Sequence, residues 1–472
     1  EMLEGFSNKG MITVALLFLV SEGIRQSGTL GQVIKKLLPQ GKTTVFKAQL
    51  RILPSVAFIS AFLNNTPVVV IFAPIIKHWA KSVNLPATKF LIPLSYVTIL
   101  GGICTLIGTS TNLVVHGMIL EAGFEGFSMF ELGKVGIFIA IAGIIYIFLF
   151  SKRLLPDARP DTAVPDEEVE EGEKLHRVEA VLGARFPGIN KKLKDFNFQR
   201  HYGAEVKEIK TRNGQRFVSN LEEVVLHEGD TLVVMADDTF IPTWGESSVF
   251  VLLTNGNEPD TTGKKKKRWF ALLLLVLMIV GATVGELPIT KEMFPDIKLD
   301  MFFFVSITTI IMAWTNLFPA RKYTKYISWD ILITIACAFA ISKAMVNSGV
   351  ADSVAKFIIG LSDDYGPHVL LAMVFIITNL FTELITNNAA AALAFPLALS
   401  ISAQLGVSPT PFFVVICMAA SASFSTPIGY QTNLIVQGIG NYKFTDFVRI
   451  GLPLNIITFL ISIILIPLIW NF

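Results

Sequence analysis

The chain has 472 residues, 52% of them hydrophobic and only 16% charged, with a mean hydropathy of +0.59. That is too apolar for a soluble protein of ordinary surface-to-volume ratio and indicates an α-helical polytopic membrane protein. A net charge of +2 with no basic, aromatic-interleaved patch gives no reason to expect a nucleic-acid polymer as partner, and Cys104, Cys337 and Cys417 lie in apolar segments without close pairing, so no disulfide or metal framework follows.

Residues 1–151 form a first membrane repeat. In it two apolar arms, Ile52 to Leu63 and Val68 to Ile76, flank "NNT" at Asn64 to Thr66. Polar groups at membrane depth are costly unless buried in protein or lining a watery cavity, so this stretch reads as the tip of a re-entrant helical hairpin. Phe90 to Leu120 is uncharged for a full span but rich in Gly, Ser, Thr and Asn; its "IGTSTN", with Gly108, reads as the unwound middle of a crossing helix. Residues 152–175 are an acidic linker. Residues 176–240 are a small α/β module with strands expected at Glu205 to Ile209 and Thr231 to Met235 around the turn Arg212 to Gly214. Its ending "GDTLVVM" resembles the TrkA-C regulatory domain, which implies a small-molecule or nucleotide regulator; an insert that only aids assembly is the alternative. Residues 241–268 read as a basic linker and 269–472 as a second membrane repeat. The second repeat opens with apolar spans Trp269 to Gly285 and Met301 to Ala320. A second hairpin follows, with arms Val369 to Leu380 and Ala389 to Leu399 around "TNN" at Thr386 to Asn388, then a second break, "IGYQTN" with Gly429, and a last span from Ile450 to Phe472.

The polar inserts recur in register. "SGTL" at Ser27 falls on "SGVA" at Ser348, "FLNNT" on "LITNN", "FAP" at Phe72 on "AFP" at Ala394, and "IGTSTNLVV" on "IGYQTNLIV", so the chain carries a duplication. The second copy has two more apolar spans ahead of the point where the first begins. About two further membrane helices are therefore expected before Glu1, with a genuine start at Glu1 as the alternative. Loops of the first copy, "IKKLLPQGK" and "KHWAKSVNLPATK", are basic where their counterparts "LSDDYGP" and "SAQLGVSPTP" are not, and acidic "LEAGFEGF" is matched by basic "GNYKFTDFVR". By the positive-inside rule the repeats are inverted and the 152–268 insert is cytoplasmic. Each tip is expected to face the break of its own repeat. A single Asn pair would read as interhelical glue, but two in register, each followed by Gly-X-X-Thr-Asn, point to a binding site.

These motifs resemble the Ser-Asn-Thr signatures and helix breaks of the divalent anion/sodium symporters, solute carrier family 13, in the sulfate-transporter-like branch with a TrkA-C insert. The resemblance implies a plasma (inner) membrane homodimer that imports a small inorganic or carboxylate dianion with co-transported sodium ions by an elevator motion. It places one sodium site at Ser60, Asn64, Asn65 and Gly108, a second at Thr382, Thr386, Asn387 and Gly429, and the substrate against Asn65, Thr66, Asn387, Asn388, Thr109, Ser110, Tyr430 and Gln431. Asn at 64 and at 388 departs from the family's Ser and Thr, which fits sulfate better than a dicarboxylate. Branch members tend to carry two TrkA-C copies; one complete copy is present, so a segment absent near Val164 to Lys174 is expected as an alternative.

Neither tip nor break contains Arg or Lys, so sodium must supply the countercharge. Moving a dianion inward against about −100 mV costs roughly 4.6 kcal/mol, which two sodium ions cancel and a third reverses. Glu383, just before the second tip, reads as hydrogen-bonded within the hairpin, with a proton- or cation-carrying role as the alternative. Glu22 and Lys343 occupy equivalent positions and read as snorkelling or interdomain groups; His116 and His368 receive no chemistry. A cation/proton antiporter would need more titratable groups than Glu383, a potassium channel lacks a filter sequence, and no His, Asp, Glu and Cys grouping supports an enzyme.

Overall fold

A computed structural model describes residues 4–157, 175–183, 185–212, 215–237, 239–245, 249–254, 265–285, 287–293, 298–361 and 366–472. Most of the acidic linker and residues 255–264 of the basic one lie outside these. The first membrane part comprises α1 (Lys9–Gln26), α2 (Thr29–Leu37), α3 (Val45–Ser60), α4 (Asn65–Ser82), α5 (Leu91–Gly102), α6 (Ser110–Glu121) and α7 (Gly133–Leu154). A five-stranded antiparallel sheet follows, β1 (His176–Leu182), β2 (Glu205–Lys210), β3 (Arg216–Phe217), β4 (Thr231–Ala236) and β5 (Phe250–Thr254), in the order β3-β2-β4-β1-β5, with short helices α8 (Phe198–Tyr202) and α9 (Phe240–Trp244). Strand β5 pairs with β1, so the sheet continues through part of the stretch expected as a linker after residue 240. The module's core is aromatic, with Phe186, Phe196, Phe198, Tyr202 and Phe250 in one buried cluster.

The second membrane part comprises α10 (Lys265–Gly285), α11 (Pro288–Met293), α12 (Met301–Trp314), α13 (Tyr323–Tyr326), α14 (Trp329–Asn347), α15 (Val350–Leu361), α16 (Gly366–Leu384), α17 (Asn387–Leu405), α18 (Thr410–Ser421), α19 (Gln431–Gly440) and α20 (Phe444–Ile469). Among the described residues five helices are long and apolar enough to cross a membrane, or six if one bent pair forms a single span. The span expected over Met301 to Ala320 is shorter, because Asn316 takes the left-handed conformation (φ 52°) and closes the helix at Trp314.

Helix α5 buries all of its residues, and α18 nearly all, as befits helices apolar on every side at the centre of a bundle. By contrast α7 exposes Ile137, Ile141, Ile145 and Leu149, and α20 exposes Leu452, Ile456, Leu460, Ile464 and Leu468, stripes at helical spacing that suit a lipid face.

Contacts at the two ends define the directions of the elements. At one end Trp79 Nε1 donates to Pro39 O at 2.9 Å, Lys89 Nζ to Lys152 O at 2.8 Å, and the Tyr442 hydroxyl lies 3.3 Å from Ile92 N. At the other, Trp470 Nε1 donates to Glu131 Oε1 at 3.2 Å, and Phe472 packs on His368 and Phe412. Hairpin α3–α4 thus opens toward the first end and α16–α17 toward the second, while α7 and α20 run antiparallel.

The sheet module docks at the first end, on α4 and α19. Glu179 of β1 accepts from Lys77 Nζ of α4 at 3.0 Å and from Lys210 Nζ of β2 at 3.1 Å, and Gln437 Nε2 of α19 donates to Arg212 O at 2.7 Å. Burial alone would push the Glu179 carboxyl up; the two lysines outweigh it and hold it at about 2. A depressed carboxylate stabilises the folded form above its unfolded value near 4.3, and loses that contribution as pH falls from there toward 2. Lys77→Met is expected to weaken docking by about 2 kcal/mol, between an exposed and a fully buried pair. Hydrogen exchange of β1 and α4 at neutral pH checks this, and unchanged protection would refute it.

Candidate substrate and cation site

The site forms where four helices begin. Asn65 and Thr66 are the first residues of α4, Asn387 and Asn388 of α17, Ser110 and Thr111 of α6, and Gln431 and Thr432 of α19. Each hairpin reverses over a few residues, and each crossing helix is interrupted, α5 from α6 by residues 103–109 and α18 from α19 by residues 422–430. First-turn N–H groups have no partner within their own helix, so four partial positive charges converge here.

Each hairpin tip packs on the helix break that follows it in the chain, and the bonds at the two places match. The Ser60 hydroxyl lies 2.8 Å from the Asn65 amide; the Thr382 hydroxyl lies 2.7 Å from Asn387 Oδ1 and 2.6 Å from Ala420 O. Thr105 donates to Ala61 O, and Thr426 donates to Glu383 O at 3.1 Å. Those two hydroxyls accept from Gly108 N at 3.1 Å and Gly429 N at 3.3 Å. Asn112 Nδ2 donates to Thr105 O at 2.9 Å, and Asn433 Nδ2 to Thr426 O at 3.1 Å. The glycines serve close approach: a Cβ on Gly108 would stand 2.5 Å from Gly102 O, and one on Gly429 1.9 Å from Ser423 Oγ and 2.5 Å from Thr382 O.

The tips also reach the opposite break. Thr66 Oγ1 donates to Gln431 Oε1 at 3.3 Å; in the matching place Ser110 and Thr111 donate to Asn388 Oδ1 at 3.3 and 3.2 Å. The Tyr430 hydroxyl bonds the amides of Asn65 and Asn387 and lies 3.0 Å from Thr109 Oγ1. With its NH2 turned inward, Asn65 donates to Thr98 O at 3.0 Å and Gly108 O at 3.3 Å and accepts from Tyr430, the orientation that satisfies both ends of the amide.

Not every expected residue faces this centre. Thr386 is exposed, and its hydroxyl caps α17 by accepting from Ala389 N at 3.4 Å. Asn64 sits beside Ser21 and Ser110 on a crevice against α1 and α10. Glu383 Oε1 and Oε2 accept from Ser425 N and Thr426 N, each at 2.8 Å, and Oε1 from Asn455 Nδ2 at 2.7 Å, so this carboxylate braces the second break. Glu22 pairs with Arg25 at 2.7 Å. Thr105, Thr426, Asn112, Asn433 and Asn455 were not singled out from sequence. The first four stand at identical places in "TLIGTSTN" and "TPIGYQTN", and that identity was the available signal. Among the described residues no three His, Cys, Asp or Glu side chains group as a metal site.

Broken helices and hairpin tips meeting inside an apolar bundle define a polytopic membrane transporter. The chain belongs to the citrate transporter family, whose sequence profile it matches over residues 1–403 and again over 297–471. It is 30% identical to an uncharacterised transporter of Synechocystis sp., covering 100% of this chain and 90% of that protein. It is 32% identical to sodium/sulfate cotransporter 2 of Chlamydomonas reinhardtii over 60% of this chain and 31% of the relative. It is 25% identical to human solute carrier family 13 member 4 over 33% of this chain and 24% of the relative.

Proposed function

We propose that the protein is a sodium-coupled symporter of a divalent oxyanion, sulfate first, built from two inverted repeats that share one site. The observation that carries this is the meeting of four helix N-termini with amides and hydroxyls but no Arg or Lys. Such a centre attracts an anion yet cannot neutralise a dianion, so co-bound cations complete it. Oxygen ligands suited to a hard cation lie beside it in each repeat: the Ser60 hydroxyl and Gly108 O in one, where a bound cation would turn the Asn65 amide oxygen inward, and the Thr382 hydroxyl, Asn387 Oδ1 and Gly429 in the other. The bonds repeated between copies, with hairpins opening to opposite ends, support the inverted arrangement. The relative named a sodium/sulfate cotransporter supports the choice of ions. The sheet module is proposed as a cytoplasmic TrkA-C-like regulatory domain, the assembly as a homodimer of the plasma membrane, and the transport step as an elevator motion of the site-bearing helices.

The family description favours a second reading, a sodium/carboxylate symporter. Radiolabelled sulfate uptake into proteoliposomes, with and without an inward sodium gradient and with succinate as competitor, separates them. Sodium-driven sulfate uptake that succinate leaves untouched is the expected result. Succinate uptake in its place supports the second reading, and uptake of neither overturns both.

A further inference from the structure

The two breaks, TLIGTSTN and TPIGYQTN, differ at Leu106/Pro427, Thr109/Tyr430 and Ser110/Gln431, and the largest difference in side-chain size is Tyr430 in place of Thr109. The difference falls at the centre of the site. The Tyr430 ring crosses from its own break to the first tip, so that its hydroxyl meets Asn65, Asn387 and Thr109 together. Any group held between the two Asn amides therefore lies against the phenol. Where the pseudo-symmetry would allow two similar half-sites, one for each end of an elongated dianion, an aromatic ring occupies one of them.

Building on the symporter reading above, we propose that Tyr430 sets the size limit of the site. Its ring excludes the second arm of a dicarboxylate or tricarboxylate, and its hydroxyl, which donates to Asn65 in this structure, turns to donate its one hydrogen bond to a compact tetrahedral dianion. Sulfate has acceptors all round and no donors, which suits the hydroxyls of Tyr430, Thr109, Thr66 and Ser110 and the NH2 groups of Asn387 and Asn388, the hydroxyls bonding protein partners in this structure and turning to the anion on binding. Exclusion is steric and does not need a charged residue, which the site lacks.

Two substitutions separate ring from hydroxyl. Tyr430→Phe keeps the ring, and Tyr430→Thr copies the first repeat. The readout is the thermal unfolding midpoint of the detergent-purified protein, titrated with sulfate, succinate or citrate at constant sodium. Wild type is expected to respond to sulfate alone. Tyr430→Phe should need about tenfold more sulfate, the loss of one hydrogen bond to a charged group, and still ignore succinate. Tyr430→Thr should gain a succinate response. A wild type stabilised equally by succinate, or by none of the three anions, overturns the proposal. So does a Tyr430→Thr protein that keeps the wild-type sulfate response and ignores succinate; if that variant does not fold, a Tyr430→Phe protein with unaltered sulfate response overturns it instead. Because binding is read without transport, sulfate-selective stabilisation with sodium-independent uptake would sink the symporter reading and leave the size limit standing.

Discussion

Asn65→Ala and Asn387→Ala are each expected to lower sodium-dependent anion uptake by about a hundredfold. Asn65 is 1% exposed, and its amide ties Ser60, Thr98 O, Gly108 O and Tyr430 together; Asn387 ties Thr382 and Tyr430. Removing either amide breaks at least two buried hydrogen bonds, worth together about 1–3 kcal/mol, and about 2.7 kcal/mol corresponds to a hundredfold. The two positions sit at the starts of α4 and α17, so each loss affects one repeat's half of the site and the shared centre. Uptake as a function of sodium concentration, on protein shown to be folded by its elution profile, is the measurement. Both variants transporting with unaltered sodium dependence would refute the site.

Glu383→Ala is expected to destabilise the protein by about 3 kcal/mol, whereas Glu383→Gln should cost less and leave the pH profile of uptake unchanged. The carboxylate accepts from two backbone N–H groups of the second break and from the Asn455 amide. Alanine leaves three donors unpaired in a half-buried place, while glutamine keeps one carbonyl acceptor. The first repeat carries Ala61 at the matching position, so Glu383 belongs to one copy only and is not part of a duplicated cation site. Thermal unfolding checks the stability order. Uptake that loses its pH dependence in Glu383→Gln while sodium has no effect would favour proton coupling.

Much of the site was legible in the sequence because a similar polar pattern occurs in it twice. "NNT" and "TNN" are costly in a membrane, and two costly inserts in register with two Gly-X-X-Thr-Asn breaks could be read from spacing alone. Thr386 shows the limit of that reasoning. Its place in the motif suggests a ligand, but a hydroxyl just ahead of a helix is an N-cap, and that local bond turns it toward Ala389 N. Tyr430 was legible as a site residue, but its reach to both Asn amides was not, since nothing in the order of residues says how far a ring extends into the other repeat.

The sequence by itself determined the solvent, the polar inserts and their recurrence in register, because hydropathy and register depend only on the order of residues. The tertiary structure alone decided three things: that the tips of both repeats reach the opposite breaks, that Glu383 braces a break, and that the sheet module rests on the two helices α4 and α19 whose first residues carry the site. Each depends on contacts between residues far apart in the chain, and such contacts are set by how helices pack in three dimensions, which no local pattern encodes.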